Sequence, residues 1–220
     1  AVGGSGAGDT EEIHIHSFDG TTLTLTDTKD FNTSGSLALA WSPDGSYLAA
    51  GGTSSAGNHD SVEIYSFSGL SLSTTITSRH YTQAVWTIAW HPNGTNLAIG
   101  MSNDASASEL EVVSFDGSNF SSIALVDFGS VLSLDWSPNG LYLAVGGNAY
   151  VGGHNDFEVY SFNGSSLHNV VSKNYGLAIY SVKWSPDGHY IAVGGNDSLE
   201  LQIYSFDGSS ENLEITKDYG

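Results

Sequence analysis

Short apolar runs separated by turn-forming residues recur along the whole chain. One twelve-residue stretch occurs four times, as WSPDGSYLAAGG, WHPNGTNLAIGM, WSPNGLYLAVGG and WSPDGHYIAVGG, beginning at Trp41, Trp90, Trp136 and Trp184. An apolar segment such as LALAW precedes the tryptophan, Pro and Gly then supply a turn, and a continuous apolar run follows. The pattern predicts two strands, a and b, joined by a tight turn, with strand b covered on both faces.

A second motif predicts two further strands, c and d, in each unit. It reads HSFDG, YSFSG, VSFDG, YSFNG or YSFDG, and its DG and NG endings are strong hairpin signals. Strand c, before this turn, carries a polar position that we expect to face solvent, occupied by Glu63, Glu111, Glu158 and Gln202. Strand d alternates apolar residues with Ser or Thr, as a half-solvated outer strand does.

The spacing of these motifs predicts one domain made of five repeat units. The four tryptophans lie 46 to 49 residues apart, and units of that length must share one stacked core. The predicted units within the single domain 1–220 are 1–35, which is incomplete, 36–84, 85–130, 131–178 and 179–220. Four antiparallel strands per unit predict an all-β fold, a β-propeller of four-stranded blades.

The two motifs together resemble the WD-repeat family of β-propellers, and the resemblance covers essentially the whole chain. The W-S-P-D-G motif is also similar to that of the Tol-type propellers. The Trp-Asp dipeptide of the WD family is absent, and its place at the end of strand c is taken by Tyr65-Ser66, Val113-Ser114, Tyr160-Ser161 and Tyr204-Ser205. The resemblance therefore implies a divergent propeller, without the family's His-Asp hydrogen-bond network.

Composition narrows the possible partners. The formal net charge of −19 repels nucleic-acid backbones and anionic lipid surfaces, so we expect no nucleic-acid partner. No apolar run reaches the length of a membrane span, so we expect no membrane insertion. The chain has no cysteine, which excludes disulfides and thiolate metal sites and leaves the compartment open.

The loops that differ most between units predict the recognition surface. The turns from a to b and from c to d are nearly constant, whereas the loops from b to c and from d to a differ in every unit and emerge on one face. Trp86 lies outside the repeated tryptophan positions and is expected to contact a ligand. The candidate partner-binding residues on this face are His59, Arg79, His80, Tyr81, Trp86, Tyr150, His154, Tyr175 and Tyr180. Neutral drift of the loops is the alternative.

One repeat position holds most of the cations. Four of the five basic residues, Lys29, Arg79, Lys173 and Lys217, stand at the end of strand d, each two residues before an aromatic residue. We favour a structural interpretation, in which the cation neutralises nearby carboxylates and the aromatic packs between blades. A ring of cations that binds an acidic partner is the less favoured alternative.

The sequence predicts no enzyme, cofactor or metal site. It lacks a nucleophile elbow, a phosphate-binding loop and the zinc and calcium motifs. His14 and His16 could supply two metal ligands, but no third is evident and His14 aligns with the polar position of strand c. Asp9, Asp60, Asp104, Asp156 and Asp197 recur before strand c, where loop capping is favoured over a cation-binding ring.

These observations predict a non-catalytic recognition or scaffolding module that binds a protein partner through the face with the variable loops. A carbohydrate-binding propeller and a structural subunit of a repeating assembly are the alternatives. The first unit matches only the end of strand b and strands c and d, because nothing corresponds to residues 177–191 of the last unit. We therefore expect either a homo-oligomer or part of a longer propeller, with the missing strands supplied from elsewhere.

Overall fold

The strands of the protein form one small sheet per repeat unit. The computed structural model describes residues 1–4, 12–31, 36–53, 61–103, 108–148, 155–176, 178–196 and 200–217. Within these ranges the chain consists of strands and turns and contains no helix. Each sheet is a blade, and the blades are numbered 1 to 5 along the chain.

The strands follow the order predicted for the repeat. Blade 1 contains β1 (Val2–Gly3), β2 (Ile13–Phe18) and β3 (Leu23–Lys29). Blade 2 contains β4 (Ser36–Trp41), β5 (Tyr47–Gly52), β6 (Val62–Phe67) and β7 (Leu72–Arg79). Blade 3 contains β8 (Val85–Trp90), β9 (Asn96–Met101), β10 (Leu110–Phe115) and β11 (Phe120–Val126). Blade 4 contains β12 (Ser130–Trp136), β13 (Tyr142–Asn148), β14 (Phe157–Phe162) and β15 (Leu167–Lys173). Blade 5 contains β16 (Ile179–Trp184), β17 (Tyr190–Gly195), β18 (Leu201–Phe206) and β19 (Glu211–Lys217).

Every blade is an antiparallel meander in which each strand pairs with the next along the chain. The first strands of blades 2 to 5 contact one another extensively, whereas the last strands are well separated. The a strands therefore lie closest to the central axis and the d strands at the periphery. This arrangement confirms the predicted all-β propeller.

The turn between strands a and b forms as its residues predict. In blade 2, Ser42 Oγ donates to Asp44 Oδ1 at 2.6 Å and accepts the Tyr47 N–H at 2.9 Å. Gly45 has a φ of 72°, a conformation that glycine adopts without steric cost. The same Ser, Asp or Asn, and Gly arrangement recurs in blades 4 and 5.

The repeated tryptophans join neighbouring blades. Trp90 Nε1 donates to the Ala40 carbonyl of blade 2 at 3.0 Å, and Trp136 Nε1 donates to the Ala89 carbonyl of blade 3 at 3.2 Å. Both indole rings are buried in clusters that contain residues of two consecutive blades. The core is therefore a series of interfaces between blades, as the recurrence of the tryptophan predicts.

Blade 1 differs from the others because its sheet has three strands. β1 is only two residues long and pairs Val2 with His14 and Gly3 with Ile13. The outer neighbour β3 pairs along the whole of β2. Among the described residues, the inner side of β2 from Ile15 to Phe18 therefore has no strand beside it.

Candidate functional site

A β-bulge occurs at the same place in every a strand. The register with strand b skips one residue in each of blades 2 to 5, and the skipped residues are Leu37, Trp86, Leu132 and Tyr180. Each lies four residues before the repeated tryptophan. A bulge leaves one residue unpaired and changes the direction of its side chain, and bulges are frequent beside functional sites.

The bulged residues lie close to the central axis on one face of the propeller. They stand at the beginning of the innermost strands, directly after the d-to-a loops and beside the ends of the b strands. We call the side that carries the d-to-a and b-to-c loops the loop face. Tyr180 is 58% exposed, and Trp86 and Leu132 are partly exposed. These three residues form what we call the bulge patch.

The bulge corrects the sequence-based interpretation of Trp86. From the sequence Trp86 is expected to lie outside the repeat, but its register shows that it occupies the same repeat position as Tyr180. Leu132 was missed altogether. The constant spacing of four residues before the repeated tryptophan could have identified this position, whereas the bulge itself could not be seen in the sequence.

The residue just before strand c anchors the d-to-a loop of its own blade. Glu12 Oε2 accepts the Phe31 N–H at 2.9 Å, and Ser61 Oγ accepts the Tyr81 N–H at 3.2 Å. Asp156 Oδ2 accepts the N–H groups of Tyr175 at 2.9 Å and Gly176 at 2.8 Å. The described loops beside the bulge patch are thus held by side-chain caps.

Asp156 is the one of the five carboxylates predicted before strand c that lies within the described residues. Asp156 is buried and serves as a cap, which is the favoured interpretation. The equivalent residue in blade 3 is Glu109, which accepts the Phe128 and Gly129 N–H groups at 3.2 and 3.3 Å. Asp9, Asp60, Asp104 and Asp197 lie outside the described residues.

The polar position of strand c is buried, contrary to the sequence-based expectation that it faces solvent. Glu63, Glu111, Glu158 and Gln202 are each at most 9% exposed. Their side chains lie between blades, because the blade before each of them covers this face of the sheet. Alternation within one strand could not reveal that covering, since it arises only when two blades pack together.

A hydroxyl group donates a hydrogen bond to each of these buried polar residues. Tyr65 Oη donates to Glu63 Oε2 at 2.6 Å, and Tyr160 Oη donates to Glu158 within one strand in the same way. In blade 3, where Val113 replaces the tyrosine, Tyr81 Oη of blade 2 donates to Glu111 Oε2 at 2.7 Å. Burial, and then the facing carboxylate, raise the pKa of Tyr81 above its ordinary value.

The cation position supports the structural interpretation in two blades. Arg79 Nη1 lies 2.9 Å from Glu111 Oε1 of the next blade, and the guanidinium lies over the Tyr81 ring at 5.5 Å. Arg79 Nη1 and Glu111 Oε1 are close enough for an ion pair. The N–H does not point at this oxygen, so the two groups form no hydrogen bond. Lys173 Nζ lies 2.8 Å from Glu211 Oε1 and 4.8 Å from the centre of the Tyr204 ring.

The structure places the predicted partner-binding residues in different surroundings. Arg79, Tyr81 and Tyr175 contact the next blade, and Tyr175 Oη forms a short hydrogen bond with Tyr204 Oη. Trp86 and Tyr180 belong to the bulge patch, and His80 is exposed on the d-to-a loop of blade 2. His59, Tyr150 and His154 lie outside the described residues. Partner binding by all nine stays a prediction.

Within the described ranges, no three His, Cys, Asp or Glu residues are placed to hold a metal ion. The rings of His14 and His16 lie 6.3 Å apart in blade 1. The same ranges contain no helix long and apolar enough to cross a membrane. The arrangement of the bulge patch suits contact with another molecule through apolar and aromatic surface.

Comparisons with known proteins agree with this architecture. The family model of eukaryotic translation initiation factor eIF2A matches residues 83–218, and that of the WD domain, G-beta repeat, matches residues 23–60. No curated protein matches the chain by sequence.

Several solved structures share the fold. The periplasmic gluconolactonase PpgL of Pseudomonas aeruginosa superposes with a TM-score of 0.75 and 15% identity, over 96% of this chain and 66% of that chain. The Cps50 (Swd1) β-propeller domain of Myceliophteria thermophila has a TM-score of 0.63 and 11% identity, over 88% of this chain and 61% of that one.

A chain of the mitotic checkpoint complex has a TM-score of 0.66 and 24% identity, over 84% of this chain and 55% of that chain. The protein thus spans about two thirds or less of the length of these three solved chains. At these identities the likeness shows the fold alone. Because the eIF2A model covers more than half of the sequence, the chain belongs to the eukaryotic translation initiation factor eIF2A family and is a divergent WD-repeat β-propeller.

Proposed function

We propose that the protein is a non-catalytic recognition module that binds a protein partner through the loop face, with the bulge patch at the centre of the contact. One observation carries the proposal: the backbone bulge is the same in four blades, whereas the residue type at the bulge differs, being Leu37, Trp86, Leu132 or Tyr180. A constant backbone that displays different large side chains suits recognition of an asymmetric surface.

The chemistry of the bulge patch fits a binding centre. Trp and Tyr are enriched among the residues that dominate binding energy at protein interfaces, and they lose little conformational entropy on binding. Trp86 and Tyr180 retain exposed surface while standing on the innermost strands, which are fixed by pairing with buried b strands. The patch is therefore preorganised, which lowers the cost of association.

The net charge of the molecule narrows the class of partner further. A net charge of −19 favours a partner with a basic rim around an apolar centre and opposes contact with RNA.

Carbohydrate binding is the second candidate, because partly exposed aromatic rings can stack on sugars. Trp86 and Tyr180 could serve a glycan as well as a protein. The similarity to a protein named gluconolactonase also makes lactone hydrolysis worth testing. Against catalysis, the described residues offer no metal-binding cluster, and their carboxylates before strand c are occupied as loop caps.

The test compares a double variant, Trp86→Ser with Tyr180→Ser, against the wild type and a control. Leu70→Ser is the control because Leu70 is 69% exposed on a c-to-d turn, on the face opposite the loop face. We expect the wild type and the control to capture the same partner from a lysate of the source organism, and the double variant to lose it. Equal capture by all three would overturn the assignment of the patch.

The wild type and the double variant also test carbohydrate binding and lactone hydrolysis. Binding to a glycan array that the double variant loses would assign a lectin function in place of protein recognition. Turnover of gluconolactone by the purified wild type, above the rate without protein, would overturn the non-catalytic assignment. Thermal unfolding of each variant establishes that a lost interaction is not a lost fold.

A further inference from the structure

Three Asn-Gly pairs occur in the turns of the protein. Two of them lie in the a-to-b turns of blades 3 and 4, and one lies in the c-to-d turn of blade 4; they begin at Asn93, Asn139 and Asn163. The backbone nitrogen after an asparagine can attack the side-chain amide carbon, and glycine hinders this attack least because it has no Cβ atom. The three pairs therefore share one reactive sequence, placed in two kinds of turn.

The glycine nitrogen is hydrogen-bonded in the a-to-b turns and free in the c-to-d turn. The Gly94 N–H donates to the His91 carbonyl at 2.9 Å, and the Gly140 N–H donates to the Ser137 carbonyl at 2.8 Å. In the part of the chain that the structure describes, the Gly164 N–H has no acceptor. An amide proton held by a carbonyl is lost to solvent less readily, so Gly164 has the most available nitrogen of the three.

Solvent access to the glycine differs in the same direction. Gly140 is buried and Gly94 is partly exposed, whereas Gly164 is exposed. A Cβ atom on Gly140 would lie 2.5 Å from His91 Nε2, but nothing lies within 4 Å of the same point at Gly164. The attack needs a base from solvent to remove the amide proton of the glycine. That base reaches Gly164 most easily.

Four donors surround the side-chain oxygen of Asn163. The N–H groups of Ser165 and Ser166 donate to Asn163 Oδ1 at 3.0 and 2.9 Å, and their hydroxyl groups donate to it at 3.0 and 3.2 Å. The Oδ1 atom accepts one hydrogen bond in Asn93 and two in Asn139. Attack on the amide carbon moves negative charge onto Oδ1, and donors already aimed at that atom stabilise the charge.

We propose that Asn163 is a site of spontaneous deamidation and that the fold protects Asn93 and Asn139. The Gly164 nitrogen loses its proton to solvent and forms a bond to Asn163 Cγ. The bond from Cγ to Nδ2 then breaks, and Nδ2 takes up a proton from solvent and leaves as ammonia. Water opens the resulting cyclic imide at either of its two carbonyl carbons. The products are aspartate and isoaspartate, in which the main chain runs through the former side-chain carbonyl.

The turn accommodates aspartate but not isoaspartate. Aspartate already stands at this repeat position in blades 1, 3 and 5, and Asp116 Oδ1 of blade 3 accepts the N–H groups of the residues two and three ahead, both at 2.8 Å. Isoaspartate adds one carbon to the main chain of a tight turn, so the pairing of Phe162 with Leu167 beside it should loosen. Both products add a negative charge on the face opposite the loop face, so this proposal does not depend on the loop-face function.

The test incubates the folded chain at neutral and at mildly alkaline pH and follows the three asparagines by peptide mapping and mass spectrometry. We expect Asn163 to deamidate at least about tenfold faster than Asn93 or Asn139, because its oxyanion is stabilised and its glycine nitrogen is free. The same chain unfolded in guanidinium chloride is the control for the sequence alone. There the three sites should react at similar rates, since each is followed by glycine.

Two substitutions test the donors around Asn163. Ser165→Ala and Ser166→Ala each remove one hydroxyl donor and should slow the deamidation of Asn163 in the folded chain. Ser209→Ala is the matched control, because Ser209 stands at the repeat position of Ser165 in blade 5 and should leave the rate at Asn163 unchanged. The proposal would be overturned by an Asn163 that stays intact in the folded chain while the unfolded chain reacts. An Asn93 or Asn139 that reacts as fast as Asn163 in the folded chain would also overturn it.

Discussion

Tyr81 Oη donates a 2.7 Å hydrogen bond to Glu111 Oε2 across the boundary between blades 2 and 3. In the neighbouring interfaces the hydroxyl comes from strand c itself, as Tyr65 does for Glu63. In both arrangements a phenol donates to a buried carboxylate, and either of the two neighbouring blades can supply it. These phenol–carboxylate pairs, which we call the polar layer, lead to a prediction about alkaline pH.

Stability should fall as the pH rises above about 10, near the ordinary pKa of an unfolded tyrosine. Burial, followed by the facing carboxylates, raises the pKa values of Tyr65, Tyr81 and Tyr160 in the folded protein. Above the unfolded pKa, the unfolded chain loses these protons while the folded chain keeps them, so unfolding becomes more favourable. Below about pH 10, the folded and unfolded chains both keep these phenol protons, so the protein has its full stability.

The measurement is urea unfolding between pH 8 and pH 11 or so, spanning the ordinary tyrosine pKa. Tyr81→Phe should reduce the loss of stability across this range, because one buried phenol is removed. Tyr190→Phe is the control, since Tyr190 is 44% exposed and is not part of the polar layer. A pH dependence that Tyr81→Phe leaves unchanged would contradict the prediction.

Gly146→Ala should destabilise the protein by about 1 to 3 kcal/mol, the usual cost of overpacking a core. The new Cβ atom would lie 2.6 Å from Ile179 Cγ2 and 2.9 Å from Val182 Cγ1, both on the next blade. Gly194→Ala is the matched control at the same repeat position, and it should change stability by less than about 1 kcal/mol. Chemical unfolding measures both, and equal losses would mean that a Cβ atom at Gly194 is as crowded as one at Gly146, contrary to its nearest contact of 3.5 Å.

Gly140→Ala should cost more than Gly45→Ala. Both glycines have a φ of 72°, so either substitution incurs about 1 to 2 kcal/mol of backbone strain. At Gly140 the Cβ atom would also lie 2.5 Å from His91 Nε2, whereas nothing lies within 4 Å at Gly45. Each substitution lowers the free energy of unfolding. The amount by which the loss for Gly140→Ala exceeds the loss for Gly45→Ala therefore measures how firmly His91 is held.

His91 is fixed from both sides of its ring. The Asn93 N–H donates to Nδ1 at 3.0 Å, so Nε2 carries the proton and donates to the Gly140 carbonyl at 2.9 Å. The ring also packs edge-on against Trp136, with centroids 4.7 Å apart. Identical effects of Gly140→Ala and Gly45→Ala would mean that the imidazole moves aside at little cost.

Arg79→Ala should destabilise the protein by about 1 to 3 kcal/mol, because it removes the cation beside the buried Glu111 carboxylate. Its partner Glu111 has only 2% of its side chain exposed and would be left with Tyr81 alone. Lys173→Ala, at the same repeat position, should cost at most about 1 kcal/mol because its ion pair with Glu211 is partly solvated. Thermal and urea unfolding in low and high salt compare the two pairs, and salt should weaken the Lys173–Glu211 pair more because its carboxylate is 15% exposed against 2% for Glu111.

The sequence by itself determined the repeat, its strands and its turns. These features depend on neighbours along the chain: Pro and Gly in the turn after Trp41, the Asp-Gly turn after Phe18, and apolar runs long enough for one strand. The sequence also predicts that strand b is covered on both faces. A strand such as β13 (Tyr142–Asn148) is an almost unbroken run of apolar residues, which is typical of a strand with no face in solvent.

Only the tertiary structure decided which side chains the loop face presents and which polar groups are buried. The bulge at Trp86 exists because two residues of one strand oppose one residue of the next, and the register between strands sets that count. Glu111 is buried because blade 2 covers it, and Phe18 is exposed because no described strand covers its face of the blade 1 sheet. Each outcome depends on packing between elements far apart in sequence, which a pattern along one strand does not contain.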